Sequence, residues 1–137
     1  MPASDVCLPQ VLRALENDGW QIVAQNEHYR INKRSIFIDL RAEHLENGSS
    51  ATILLAEVKC FAEKESWTID IYTAIGQYLV YAEFLRKLSV TIPLYLVIPE
   101  TIYNLVFDTV IQQIIRQQAI KMIIVNLETE AITQWLK

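Results

Sequence analysis

The sequence has few of the residues that interrupt a regular fold or cross-link a small one. Its 137 residues include 3 glycines, 4 prolines and 2 cysteines. This composition excludes collagen-like repeats and a scaffold held by several disulfides, and a hydrophobic share of 52% excludes intrinsic disorder. A chain of this length buries roughly two thirds of its unfolded surface around one core. We therefore predict a single domain spanning residues 1–137.

Several motifs of known chemistry are also missing. The sequence contains no glycine-rich phosphate loop, nucleophile elbow or paired-cysteine zinc pattern, so P-loop nucleotide binding, acyl transfer and zinc chemistry have no support. No apolar run approaches the ~20 residues needed to span a membrane. With 12 basic against 16 acidic residues, the net charge of -4 gives no overall attraction to a phosphate backbone. Contact with a nucleic acid would therefore need a local basic patch or bound metal ions.

The two cysteines carry no recognisable pattern. Cys7 and Cys60 lack the spacing of metal ligands, and the polar N-terminus shows no export signal. Disulfides are rare in reducing compartments. We therefore expect two buried free thiols and a cytoplasmic protein.

Hydrophobic periodicity predicts helices and strands in alternation. Helices are predicted over 6–18 (starting near Pro9), over 66–88 (capped by Ser66) and over 103–118. Strands are predicted at 20–24, 29–31, 35–41, 51–61, 92–98, 121–126 and 131–136, with polar turns at 25–28, 47–50 and 127–130. This order favours an α/β fold in which a mixed sheet carries helices on its faces.

Two charges interrupt the most apolar of the predicted strands. Alternate side chains share one face of a strand, so Glu57 and Lys59 point the same way within the apolar run 51–61. If the strand at 35–41 pairs with this one, Asp39 brings a second carboxylate to the same edge. Two carboxylates suit Mg²⁺, which keeps its remaining waters. The lysine would then orient or help deprotonate an attacking water while the metal stabilises phosphate charge.

A structural ion pair is the alternative for these charges. An acid-x-Lys triplet arises by chance about as often as not in a chain of this composition. Glu57 and Lys59 would then only neutralise each other near the end of the strand. The functional interpretation depends on their position, because charged residues rarely lie inside an apolar strand without a pairing or functional reason.

The long helix carries a polar stripe at three- and four-residue intervals, formed by Asp70, Thr73, Gln77 and Tyr81. The stripe faces either the same cleft or solvent. Gln77 is the strongest candidate, because the neighbouring Gly76 lacks a side chain and predicts close approach of backbone or substrate.

A basic cluster surrounds Tyr29 and comprises His28, Arg30, Lys33 and Arg34. Arg30 and Lys33 are candidates for contact with substrate phosphates, and a solvated loop is the alternative. His44 is expected at the surface.

Six short motifs resemble those of one protein family when they are taken in order and at their intervals. They are Met1-Pro2-Ala3 with Asp5, Asp18-Gly19-Trp20, Ile38-Asp39-Leu40 with Ala42-Glu43, Ala56-Glu57-Val58-Lys59-Cys60-Phe61, Ala74-Ile75-Gly76-Gln77-Tyr78 and Ile132-Thr133-Gln134-Trp135. They resemble the cyanobacterial XisH family, the fdxN element excision controlling factors, over essentially the whole chain.

The resemblance implies a restriction-endonuclease-like fold of the PD-(D/E)xK superfamily, with a mixed sheet flanked by helices. Asp39, Glu57 and Lys59 would be its motif residues, Asp39 and Glu57 would bind Mg²⁺, and Gln77 and Tyr81 would be the polar positions on the following helix. The resemblance also implies a part in programmed DNA excision, DNA as a ligand and a XisI-like protein partner. A homodimer is expected by analogy with small nucleases that bridge two DNA strands.

Two positions depart from the family pattern. The run 7–10 stands where the family usually has His followed by a polar residue, and Arg41 replaces the glycine that usually follows Asp-Leu. Arg41 is expected to pair with a carboxylate and to fill space near the site. Three functions stay open from sequence: an accessory excision controlling factor, an active Mg²⁺-dependent endonuclease, and a regulator that acts only through a XisI-like partner.

Overall fold

The computed structural model of the protein describes residues 6–45 and 51–137. Within these residues the helices are α1 (Leu8–Asn17), α2 (Trp67–Lys87), α3 (Glu100–Val106) and α4 (Thr109–Gln117). The strands are β1 (Gln21–Ile31), β2 (Arg34–Leu45), β3 (Ala51–Val58), β4 (Leu94–Pro99), β5 (Lys121–Asn126) and β6 (Ala131–Leu136). The motif Met1-Pro2-Ala3 with Asp5 and the turn predicted at 47–50 lie outside the described residues.

The strands form one mixed sheet in the order β1-β2-β3-β4-β5-β6. Strand β4 runs parallel to both β3 and β5, and the other neighbouring pairs are antiparallel. Parallel neighbours need a crossover, which α2 supplies between β3 and β4 and which α3 and α4 supply between β4 and β5. The predicted α/β fold, a mixed sheet flanked by helices, is confirmed.

The sheet separates two hydrophobic clusters. One contains buried residues of α2, α3 and α4, such as Ile71, Ile102 and Ile115, and packs on one face. The other contains Val11 and Leu15 of α1 and packs on the opposite face. Side chains of β3 and β4 contribute to both clusters, which explains why the two strands read as almost continuously apolar.

Helix α1 ends as the sequence predicts. Pro9 lies in its first turn, where a missing backbone N–H has no consequence. Gly19 follows the helix with φ of +94°, and a Cβ at this position would lie 2.6 Å from His44 Nε2. Only glycine fits both the backbone conformation and the contact. His44 is half-buried rather than the surface residue expected.

The prediction of two short extended pieces around a turn at 25–28 was wrong. β1 is one strand that pairs with β2 from Gln21 to Ile31. Its polar middle is tolerated because β1 lies at the edge of the sheet, where half of its backbone groups face solvent. Asn26 adopts a positive φ of 53° within this strand. β2 likewise continues through 42–45, and β3 ends at Val58, earlier than predicted.

The single helix predicted over 103–118 was also wrong, because the chain forms α3 and α4 with a break at Phe107 and Asp108. Phe107 is buried. The Asp108 side chain accepts a hydrogen bond from the backbone N–H of Ile111 at 3.0 Å, which starts α4 as an N-cap. Ser66 precedes α2 but makes no such side-chain capping bond.

Cys7 and Cys60 form a disulfide, so the prediction of two free thiols was wrong. Both residues are buried, as expected. The bond joins the residue before α1 to the segment after β3, across 53 positions of sequence. The spacing carried no signal of this pairing, because the fold alone brings the two residues together. The expectation of a reducing cytoplasm therefore loses the support that free thiols gave it.

No helix among the described residues is long and apolar enough to cross a membrane.

Candidate active site

Asp39 and Glu57 meet where the pairing of β2 with β3 ends. The last paired residues are Leu40 and Ala56. Beyond them, the backbone N–H of Asp39 donates to Glu57 Oε1 at 3.0 Å, and the backbone N–H of Val58 donates to Asp39 Oδ2 at 2.8 Å. Each carboxylate therefore accepts a bond from the strand that carries the other. The pairing of the two strands that the predicted site requires is therefore present.

At Asp39 the buried side chains of β2 pass from one hydrophobic cluster to the other. Ile36 and Ile38 belong to the cluster beneath α2, whereas Leu40 and Ala42 belong to the cluster beneath α1. Asp39 lies between the two sets and is half-buried. A polar side chain at such a crossing is tolerated because the backbone N–H of Val58 donates a hydrogen bond to it.

Lys59 lies just past the end of β3. Its backbone N–H donates to the Val97 carbonyl at 3.0 Å, which extends the pairing with β4 by one residue. Its Nζ lies 3.9 Å from Glu57 Oε2, and its side chain is 23% exposed. The two side chains thus share one face, as predicted. The Nζ–Oε2 distance is too long for a hydrogen bond. Because the side chain is also partly exposed, its ammonium group is accessible to a phosphate or a water.

Burial dominates the electrostatics of the pair. Glu57 is 5% exposed. Its pKa is raised to about 8, first by desolvation and then by the negative charge of Asp39, and against a lowering by Lys59. The two carboxyl groups consequently hold a proton between them at neutral pH. A bound cation would favour the charged form of both and displace that proton.

Gln77 and Tyr81 approach the carboxylates from α2. Gln77 Nε2 donates to the Tyr81 hydroxyl at 2.8 Å. The pKa of Tyr81 is raised, first by burial and then by the negative charges of Glu57 and Asp39, against a lowering by the Gln77 bond. Gln77 Oε1 is buried without a hydrogen-bond partner among the described residues. It is an acceptor that a bound water or ligand would satisfy.

The donor set fits Mg²⁺. No group of three or more His, Cys, Asp or Glu side chains gathers in the part of the chain that the structure describes. Mg²⁺ needs fewer, because it binds through one or two carboxylates and keeps several waters. The backbone bonds to Glu57 Oε1 and Asp39 Oδ2 orient both carboxylates beforehand. Asp39 and Glu57 are the residues that would hold the ion.

Arg41 pairs with a carboxylate as expected, and that carboxylate is Glu27 of β1. Arg41 Nε lies 3.0 Å from Glu27 Oε1, and the Tyr29 hydroxyl donates to Oε2 of the same residue. Glu27 was not among the residues predicted from sequence. The available signal was its place on a strand neighbouring β2, since cross-strand opposite charges stabilise a sheet.

The remaining predicted residues lie apart. Arg30 and Lys33 are exposed near the turn between β1 and β2, and Arg30 Nε donates to the Asn32 carbonyl at 2.7 Å. His28 stacks on Phe37. None of these contacts involves Asp39, Glu57 or Lys59. The prediction that Arg30 and Lys33 contact substrate stays a prediction.

On α2 the predicted polar stripe divides. Gln77 and Tyr81 are half-buried, while Thr73 is exposed. The close approach expected at Gly76 was wrong within the chain, because a Cβ built there meets nothing within 4 Å. The segment after β3 instead fixes the start of the helix, since Trp67 Nε1 donates to the Phe61 carbonyl at 2.9 Å.

A cavity of about 420 Å³ lies elsewhere, and none of the predicted site residues lines it. It is bordered by Tyr103, Arg116, Ile120, Trp135 and Lys137. The candidate site is therefore defined by its carboxylates and not by this cavity.

Comparison with known proteins identifies the family. The family model described as XisH protein matches residues 1–133. The structure of a fdxN element excision controlling factor protein from Anabaena variabilis is 30% identical, covers 97% of this chain and 99% of its own, and has a TM-score of 0.84. The structure of an XisH family protein from Nostoc punctiforme PCC 73102 is 32% identical, with 96% and 99% coverage and a TM-score of 0.82.

No curated protein matches the chain. The family match extends over nearly the whole sequence, and the two solved structures share both the fold and about a third of the residues. The resemblance inferred from the six motifs is confirmed, and the chain belongs to the XisH family.

Proposed function

We propose that this chain is an accessory factor in a programmed DNA excision and that it works through a nuclease-like site that binds a divalent cation and a DNA phosphate. The excision role is supported by family membership and by the Anabaena variabilis protein, whose structure carries the description of an excision controlling factor. The observation that carries the site is the reciprocal bonding of Asp39 and Glu57. A purely structural role does not readily explain two acids held together in a largely apolar sheet, because charged residues are rarely buried without a pairing or functional reason.

In this proposal, different residues of the chain bind the cation, the phosphate and a water. Asp39 and Glu57 would hold the cation, and Lys59 would contact a phosphate oxygen from the partly exposed side of the site. Gln77 Oε1 would accept a hydrogen bond from a bound water. A bound Mg²⁺ would supply the positive charge that a protein of net charge -4 lacks for a phosphate.

Mn²⁺ and Mg²⁺ titration by isothermal calorimetry tests this proposal. Asp39→Asn and Glu57→Gln should each weaken binding by at least tenfold, because each removes a charged ligand while keeping a hydrogen-bond acceptor. Glu43→Gln is the matched control, since it removes the same charge from β2 outside the site. Lys59→Ala and Arg41→Gly should retain cation binding. Equal affinity in every variant would remove the site from consideration.

An active endonuclease is the second candidate. The position of Lys59 favours it, because the Nζ lies beside Glu57 Oε2, where it can orient a water for attack on a phosphodiester. DNA and RNA substrates incubated with Mg²⁺ or Mn²⁺ should then be cleaved, and Lys59→Ala should abolish cleavage while leaving thermal unfolding unchanged. A substrate panel without cation-dependent cleavage would leave only the accessory role.

A XisI-like protein partner is part of the proposal. Large apolar side chains are exposed on several elements, among them Phe37 at 54% and Leu105 at 73%, and exposed apolar surface marks protein interfaces. An acidic protein of this kind suits a protein interface better than a broad DNA footprint. Co-expression should yield a stable complex; a chain that always migrates without the XisI-like protein would contradict this part.

A further inference from the structure

Helix α2 exposes three large apolar side chains on the side that faces away from the sheet. Its inner side buries Ile71, Ala74, Tyr78, Phe84 and Leu85. On the opposite side Ile69 is 63% exposed, Tyr72 61% and Val80 50%. Glu83 and Lys87 on the same side are exposed and charged, so the apolar surface consists of these three side chains, and an exposed apolar patch often marks an interface. The exposed side therefore lacks a neighbour within the described part of the chain.

Gly76 lies in the middle of this exposed side. At about 100° per residue, Ile69, Tyr72, Gly76 and Val80 fall within a band about 80° wide, which we call the outer face of α2. Glycine within a helix costs about 1 kcal/mol relative to alanine. A Cβ at Gly76 would have open space around it, and its φ is not positive. Nothing inside the described chain requires glycine here, whereas a second backbone that approached this point would.

We propose that the outer face of α2 is an interface between two copies of this chain, with the two helices antiparallel and crossing at Gly76. Gly76 is next to the midpoint of Trp67–Lys87, so a twofold axis at this residue pairs the whole helix with itself. Such an axis sets Tyr72 opposite Val80 of the second copy, because both lie four residues from Gly76. Tyr72 and Val80 then each gain an apolar neighbour, as an isologous interface requires, while Ile69 lies opposite Glu83, since both lie seven residues from Gly76.

Charge complementarity selects a second copy in this orientation. Glu65 and Asp70 lie near the start of α2, whereas Arg86 and Lys87 form its last turn. The same twofold axis brings Glu65 opposite Lys87 of the second copy, since both lie eleven residues from Gly76. A parallel arrangement would instead set like charges together. The antiparallel arrangement also aligns the two helix dipoles favourably.

The interface leaves the candidate active site open. Gln77 and Tyr81 project about 100° or more around the helix from Gly76, toward Asp39 and Glu57. A dimer would thus carry two separate sites on one particle, and its existence is independent of whether those sites bind a cation. One pair of crossing helices buries less than about 1,200 Å². We therefore expect a reversible, concentration-dependent dimer.

Sedimentation equilibrium over a range of protein concentrations tests the interface. Tyr72→Glu and Val80→Glu should each raise the dimer dissociation constant by at least tenfold, because two carboxylates would be buried against apolar groups. Leu105→Glu and Val110→Glu are matched controls on α3 and α4, with exposures of 73% and 64%. They should leave self-association unchanged. A wild-type chain that stays monomeric at every concentration, or a dimer that survives both α2 substitutions, would overturn the proposal.

Cross-linking gives a second, independent measurement. Cys7 and Cys60 are paired with each other, so Tyr72→Cys combined with Val80→Cys introduces the only available thiols while Gly76 is kept. A twofold axis at position 76 sets residue 72 of one copy opposite residue 80 of the other, and mild oxidation should give a covalent dimer. Thr68→Cys, exposed on the same helix but off the axis, should cross-link far more slowly. Equal rates for the two variants would contradict the crossing point.

A different protein on this face is the alternative outcome. If Tyr72→Glu abolished binding of a XisI-like protein while the wild-type chain alone never dimerised, the outer face would belong to that protein and the proposal would fail. Mn²⁺ binding per chain should be unchanged in Tyr72→Glu whichever occupant is present. The dimer and the cation site can therefore fail separately.

Discussion

The two faces of β3 differ in the interactions that stabilise them. Toward α2 the strand carries Leu55 and the acid Glu57, which is satisfied by a backbone bond from β2. Toward α1 it carries Ala56 and Val58, both fully buried, and the disulfide of Cys60 closes that side. A buried acid destabilises the strand whenever it is charged. The apolar, cross-linked face therefore contributes stability, whereas the acidic face lowers the free energy of unfolding whenever Glu57 is charged.

Removing the disulfide should cause the largest change in the free energy of unfolding. The bond closes a loop of 53 positions, and a cross-link of that length stabilises a fold by about 4 kcal/mol in the chain-entropy model. The double variant Cys7→Ser with Cys60→Ser should lose about that amount in urea unfolding. Its Mn²⁺ affinity at 25 °C should match the wild type, because the carboxylates lie on the other face. Parallel loss of cation binding in a still folded variant would show that the two faces are not separable.

Glu57→Gln should have the next largest effect, and its sign depends on pH. The folded-state pKa of about 8 exceeds the ordinary value of 4.5, so the folded state holds the extra proton between these values. Its contribution to stability is complete below about pH 4.5 and is lost as the pH rises through 8. The variant has no such proton and should be more stable than the wild type at pH 9 by on the order of 3 to 5 kcal/mol. At pH 4.5 the two should be nearly equal.

Urea unfolding at several pH values checks this prediction, with Glu43→Gln as the charge-matched control. A wild-type chain whose stability relative to Glu57→Gln did not change between pH 5 and 9 would show that Glu57 is not desolvated as described.

Breaking the Arg41 pair should have a smaller effect. Arg41 and Glu27 are both partly exposed, at 28% and 24% of their side chains, and ion pairs of this kind contribute about 0.5 to 1 kcal/mol. Arg41→Gly loses this pair and adds glycine to a strand, so we expect about 1 to 2 kcal/mol of destabilisation in thermal or urea unfolding. A larger change in cation affinity than in stability would place Arg41 in the site itself.

The smallest effect is expected at the exposed turn. Arg30→Ala and Lys33→Ala should each change stability by less than about 0.5 kcal/mol, because their side chains are solvated. Both should leave Mn²⁺ affinity unchanged. DNA affinity measured by fluorescence anisotropy with Mn²⁺ present separates the remaining interpretations: a fall in both variants supports phosphate contact, and unchanged affinity makes the cluster a solvated turn.

Local sequence patterns predicted those elements whose structure depends mainly on their own residues. β5, β6 and α2 were predicted closely because their apolar spacing fits one period and turn residues bound them. The face shared by Glu57 and Lys59 followed from strand alternation alone. The break between α3 and α4 was also encoded, since Asp108 is a standard N-cap residue, but the helical spacing continues through it.

The rest depends on contacts between distant parts of the chain. The sequence around Cys7 does not indicate that Cys60 lies beside it, and the sequence around Arg41 does not indicate that Arg41 forms an ion pair with Glu27. The same is true of the bonds that lock Asp39 to β3 and Glu57 to β2. Strand alternation identifies the carboxylates as candidates, and only the end of the β2–β3 pairing shows how they are held. The pKa of Glu57 follows from that burial and is equally invisible in the sequence.

Proton release on cation binding tests the central claim most directly. Isothermal calorimetry of Mn²⁺ binding at pH 7, in two buffers with different ionisation enthalpies, measures the number of protons displaced. Because Glu57 has a pKa of about 8 and must ionise to bind the ion, the account predicts close to one proton per cation, and none in Glu57→Gln. Binding of Mn²⁺ at Asp39 and Glu57 with no proton released, or equal release from Glu57→Gln, would contradict it.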